Sequence, residues 1–142
     1  MSLLQQSETI HPKVLDSLCI RTLYNFTYRL SGDTKIAEVL TEEVFLMHAC
    51  QHKNDIFLLK QAWSNFRKYY GDIEFKGECH VQQSLLALVP ELRCTLILRD
   101  ILGYANGQIA AIIDKPEPEV VRLISLGRRG IAKTNKIPDI TG

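Results

Sequence analysis

The stretch GYANGQIAAIIDKPEPEVVRLISLGRRG, residues 103–130, decides the fold. It reads as a short helix, a tight turn holding Lys115, and a second helix, the outline of a helix-turn-helix. In such a motif the second helix lies in the DNA major groove and needs basic and polar side chains there. This one opens on Glu117, Pro118 and Glu119, which suit the positive end of a helix but repel phosphates. At about 100° per residue, with Val120 as origin, Leu123, Ile124, Gly127 and Ile131 fall on one inward face. The outer arc carries Arg122, Ser125, Arg128 and Arg129, flanked by Val121 and Leu126. An arginine can grip guanine bidentately, worth about 1–3 kcal/mol of discrimination. Lys115, Lys133 and Lys136 can neutralise phosphates. Arg128 and Arg129 equally suit the negative end of a helix. Val121 and Leu126 fit thymine methyls or a protein surface.

Upstream lies VQQSLLALVPELRCTLILRDIL, residues 81–102. Pro90 disfavours helical geometry in the residue before it and suits a first helical turn. One helix therefore ends near Leu88 and another starts at Pro90. The latter carries Leu92, Leu96, Ile97, Ile101 and Leu102 until Gly103 ends it. Before it, GDIEFKGEC, residues 71–79, has two glycines and no helical period, and reads as a linker. It is short enough for the two halves to touch.

The first seventy residues read as helical. Pro12 suits a first turn, and Leu15, Leu18, Cys19, Leu23, Phe26 and Leu30 recur at mostly three- and four-residue steps. Ser31-Gly32-Asp33 breaks that helix and offers Asp33 as a cap. The next helix places Ile36, Ala37, Leu40, Val44 and Met47 on one face, with Lys35, Glu38, Glu42 and His52 opposite. A third starts near Asp55, with an apolar stripe of Leu58, Leu59, Ala62, Trp63, Phe66 and Tyr70 beside basic Lys60, Arg67 and Lys68. With no convincing strand, the expected class is all-α.

The chain has 142 residues, 46% hydrophobic, with a formal net charge of +1. That length allows one ordinary domain or two small ones. Its apolar runs are too short to span a membrane, and its first residues do not resemble a signal peptide; the expected address is the cytoplasm. Near-neutral charge lowers the expectation of tight nonspecific DNA binding. The four cysteines, Cys19, Cys50, Cys79 and Cys94, form no C-x-x-C pair and read as reduced thiols. His48 and His52 share a helix face, with Cys50 between them pointing away, and Cys79 and His80 could join only through the fold. No metal or cofactor is expected. No phosphate-cradling glycine loop, H-E-x-x-H or G-x-S-x-G is present, so no catalysis is expected. Gly103 and Gly107 read as helix punctuation, and Glu91 and Asp100 as capping or ion-pair residues.

LYNFTYRLSGDTKIAEVLTEEVFLMHA, residues 23–49, resembles the core-polymerase-binding helices of bacterial extracytoplasmic-function (ECF) sigma factors of the sigma-70 family. The carrying residues are Leu30-Ser31-Gly32-Asp33 and Glu42-Glu43-Val44-Phe45-Leu46. LLKQAWSNFRKYY resembles the following helix, which in that family melts and reads the downstream promoter element. Val89, Pro90, Leu98, Arg99, Asp100, Gly103, Tyr104, Ile109 and Ala110 echo the C-terminal domain, which reads the upstream element. The resemblance covers roughly residues 15–133. Departures are clear: the Asn and Asp pattern of the melting helix does not align, and Val121, Arg122, Leu123 and Leu126 replace largely basic and polar recognition positions.

The resemblance implies a sigma region 2-like three-helix domain at 11–70, a linker at 71–79, a region 4-like helix-turn-helix domain at 80–133 and a tail at 134–142. It implies polymerase docking through Asp33, Glu38, Glu42, Glu43 and Phe45. It implies downstream DNA contact through Lys60, Trp63, Ser64, Arg67 and Lys68. Upstream contact would fall to Lys115, Val121, Arg122, Ser125, Arg128, Arg129 and Lys133. The implied partners are core RNA polymerase, promoter DNA and an anti-sigma factor, with the free chain monomeric. The alternative is a sigma-like decoy that binds an anti-sigma factor or polymerase without reading DNA. A stand-alone helix-turn-helix regulator of the LuxR kind would leave the first half unexplained.

Overall fold

The computed structural model describes residues 19–48, 54–75 and 80–141, with side chains described for 19–47, 54–75 and 82–133. The described elements are helical: α1 (19–31), α2 (Thr34–His48), α3 (Asp55–Tyr70), α4 (His80–Leu86), α5 (Pro90–Leu96), α6 (Asn106–Ile113) and α7 (Glu117–Thr141). Pro12, Leu15, Leu18, Cys50, His52 and Cys79 lie outside the described residues, as do the side chains of His48 and His80. The metal question raised by those histidines and cysteines therefore falls outside them too.

Local chemistry explains the boundaries. Gly32 takes a φ of +66°, which a glycine adopts without steric cost. Asp33 Oδ1 then accepts the backbone N–H of Ile36 at 3.1 Å, capping α2. The turn is also locked from inside. Buried Thr27 Oγ1 donates to Leu23 O at 2.9 Å and pairs with Thr41 Oγ1 across α1 and α2 at 3.1 Å. Asn54 caps α3 by accepting from Phe57 N at 2.9 Å. Pro90 opens α5 as expected.

One difference arises at the end of α5. The sequence predicts a single helix through Leu102, but Ile97–Ile101 forms a π-helical turn, with Leu102 N donating to Ile97 O at 2.9 Å. The extra residue in this turn leaves Ile97 and Leu98 buried and puts Arg99 and Asp100 on the surface. Gly103, at φ +80°, completes the stop.

The inward face expected of α7 is the one buried. Val120, Leu123, Ile124 and Gly127 are buried and Ile131 half-buried. Gly127 is required by a close approach: a Cβ there would stand 2.8 Å from Leu96 Cγ. In α2, Ala37, Leu40 and Val44 are buried, whereas Met47, expected on the same face, is 65% exposed. Met47 is at the far end of α2, where the helix outruns its packing.

The two halves share one hydrophobic core, which runs from Leu23, Phe26 and Leu59 to Ile112, Ile113 and Val120. α3 packs on α6 and α5 on α7. Within the stretch read as linker, Phe75 is half-buried with its ring 6.1 Å from that of Phe66. Arg93 reinforces the junction. Its side chain is 3% exposed. It donates to Leu30 O at the end of α1 at 2.6 Å, and to Leu85, Leu86 and Leu88 carbonyls around the end of α4. Helix C-termini carry unpaired carbonyls and partial negative charge, so two helix ends serve this cation in place of a carboxylate. Burial lowers its pKa to about 10, which still leaves it charged at neutral pH. Gln82 Nε2 adds a bond to Arg29 O at 3.1 Å, and the Tyr104 hydroxyl donates to Asp55 at 2.6 Å.

Candidate binding surfaces

Three surfaces gather the residues singled out by sequence. The first is a groove of about 380 Å³ between α1 and α2. Glu38, Glu42 and Phe45, all expected at a polymerase contact, line it with Ile20, Tyr24, Thr41 and Leu46. Leu46 is 68% exposed, and Ile20, Val39 and Met47 are also exposed large apolar side chains. Ile20 and Leu46 line the groove itself, and apolar side chains left in water there make it a candidate interaction surface. The other two residues named for this contact lie elsewhere. Asp33 is spent as the α2 cap, and Glu43 accepts a bond from Asn65 Nδ2 of α3 at 3.0 Å. The sequence did not single out Ile20, Tyr24 or Thr41, whereas Leu46 stands in the stretch that carries the resemblance. The available signal was apolar Val39 and Leu46 on α2, outside its inward stripe.

The second surface is a cleft of about 410 Å³ where α3 meets the end of α6. All five residues expected at a downstream DNA contact line it: Lys60, Trp63, Ser64, Arg67 and Lys68. From α6 come buried Ile112 and Ile113, with exposed Asp114 as the facing lip. Trp63 belongs to the core as well, at 3% exposure, and the Arg67 guanidinium stands 5.6 Å from its ring centre. Phe66 is fully buried, while Tyr69 is exposed. Trp63 thus sits against the end of α6.

The third surface is the outer face of α7. Arg122, Ser125, Arg128 and Arg129 are exposed there, and Val121 is half exposed at 50%. Several of its cations are already paired. Arg128 makes two bonds to Asp100, at 3.1 and 2.6 Å. Arg122 pairs with Glu119, and Lys115 in the turn with Glu91 at 3.4 Å. Glu91 and Asp100 are therefore ion-pair residues, as the sequence suggested. The hydrogen bond from Arg122 holds the Glu119 carboxyl below its usual range, and Asp100 pushes the Arg128 pKa up. Arg129 and Lys133 are exposed, and neither enters a salt bridge among the described residues.

The thiol of Cys94 is buried, and burial pushes its pKa up, so it stays an inert thiol. Among the described residues no cluster of His, Cys, Asp and Glu could hold a metal, and no helix is long and apolar enough to cross a membrane.

No family model and no curated protein matches the chain. A solved structure does: the co-crystal structure of the sigma factor RpoE in complex with the anti-sigma factor NepR from Bartonella quintana. The similarity has a TM-score of 0.70 at 18% sequence identity, and covers 84% of this chain and 93% of that one. The chain therefore has an all-α, sigma-factor-like fold.

Proposed function

We propose that this chain is a sigma-factor-like transcription initiation protein that binds core RNA polymerase and directs it to promoter DNA. The α1–α2 groove carries the reading. It is open, apolar at its base and acidic at its rim through Glu38 and Glu42, which suits an amphipathic helix with basic flanks. In this reading residues 11–70 form the polymerase-binding and promoter-melting unit, and 80–133 the upstream-reading unit. No catalysis by the chain is required. Because α3 lies against α6, contact between melted DNA and Trp63 follows only after the halves part on the polymerase.

A second reading is a decoy that occupies an anti-sigma factor without reading DNA. The pairing of Arg122, Arg128 and Lys115 with carboxylates favours it, and the similar RpoE was solved with an anti-sigma factor. Binding of the purified chain to core RNA polymerase at near-physiological salt separates the two. Saturable binding, weakened at least tenfold in a folded Glu42→Ala, Phe45→Ala variant, is expected of an initiation factor. A folded chain that ignores core polymerase yet captures an anti-sigma factor overturns that reading for the decoy.

A further inference from the structure

Ser64 stands four residues after Lys60, and Arg67 and Lys68 stand three and four after Ser64, so the four share one face of α3. That face forms one wall of the cleft at the junction of the two halves. None of the three cations enters a salt bridge among the described residues. Arg67 leans on Trp63 and Lys68 on Tyr69, contacts that leave both charges unneutralised. Asp114 and the carbonyl end of α6 face them and offset part of the charge. Asp72 and Glu91 flank Arg67 in the adjoining depression, beyond the cleft itself. The cleft thus keeps an excess of positive charge over a floor of Trp63, Ile112 and Ile113. Beneath it, the Trp63 indole N–H is buried and has no acceptor among the described residues. The volume, about 410 Å³, falls in the range of small-ligand sites.

We propose that this cleft binds a small phosphorylated molecule, its phosphate held by Lys60, Ser64, Arg67 and Lys68 and its apolar or planar body set against Trp63 and Ile113. The walls come from both halves of the chain. A ligand that binds only the closed arrangement stabilises it by mass action. Occupancy would therefore hold α3 against α6 and oppose its exposure to DNA. A nucleic-acid strand is the less fitting occupant of the free chain, because it needs an extended track with stacking platforms, and the end of α6 blocks the track.

Trp63 is the chain's only tryptophan, so intrinsic fluorescence reports directly on the cleft. The full chain is titrated with pyrophosphate at constant ionic strength balanced by sodium chloride, and the affinity is repeated by calorimetry. A saturable signal is expected, unchanged in Lys35→Gln and at least tenfold weaker in an Arg67→Gln, Lys68→Gln variant, whose two substituted side chains are exposed. A response that chloride reproduces, or an affinity unaltered in the double variant, overturns the proposal. So does displacement of pyrophosphate from the free chain by a single-stranded oligonucleotide, which would assign these cations to nucleic acid. Core polymerase binding takes place at the α1–α2 groove, so either idea can fail without the other.

Discussion

The two helices that the sequence marks for DNA, α3 and α7, spend their charge in opposite ways. On α3, Lys60, Arg67 and Lys68 face a cleft with no carboxylate bound to them among the described residues, while Trp63 and Phe66 beside them are drawn into the core. On α7 the exposure is reversed. Its outer face is open to solvent, but Arg122 and Arg128 are held by Glu119 and Asp100. Thus α3 has available charge in a closed site, and α7 has an open site with much of its charge spent. Among the described residues α7 keeps only Arg129 and Lys133 as exposed, unpaired cations, a narrow basic face for tight DNA binding. The α1–α2 groove, by contrast, stands open without rearrangement.

The sharpest way to break this contrast is to separate the halves. Arg93→Met removes the donor that serves carbonyls of α1 and α4 together. Leaving those buried acceptors unmade should cost about 3 kcal/mol, measured by urea denaturation. If the junction opens before the rest unfolds, Trp63 fluorescence shifts to the red at lower urea than the helical signal is lost. Coincident loss of both signals would show the halves to be one cooperative unit.

Next in size is Gly127→Leu. The added side chain drives into Leu96, where even a Cβ has no room. Overpacking of this kind costs about 1–3 kcal/mol, so the urea midpoint should fall while the α3 cleft keeps its ligand response. A loss of that response would mean that α7 seating controls the cleft through α6.

The smallest expected effect is the most informative about α7. Asp100→Asn releases Arg128 from its exposed ion pair. Stability should hardly change, because exposed pairs contribute little. Duplex DNA affinity should rise and its salt dependence steepen by about one counterion. No change in the salt slope would remove Arg128 from any DNA contact and leave α7 as a protein-facing helix.

Much of this was legible one element at a time. The α7 stripe of Val120, Leu123, Ile124 and Gly127 followed from helical periodicity, and Asp33, Asp55, Pro90 and Gly103 marked helix ends where the backbone has them. Such signals are local: a turn residue or a 3.6-residue period acts on its own neighbours. The same logic placed Met47 inside, because periodicity shows which way a side chain points but not where the facing surface ends. The partners of Arg93 had no local signal, since Leu30 is 63 residues away. Nor did that of Arg128, tied to Asp100 across 28 residues by a π turn that the pattern of Leu96, Ile97 and Ile101 did not announce.

The sequence by itself determined an all-α chain, several of its helix starts and the residues that carry charge, because capping, proline geometry and amphipathic period are written residue by residue. Only the tertiary structure decided which charges are free, which aromatics are covered and that the halves close on one another. Those outcomes depend on distances between side chains far apart in sequence. Burial and ion pairing are properties of neighbours in space, and the fold alone chooses the neighbours.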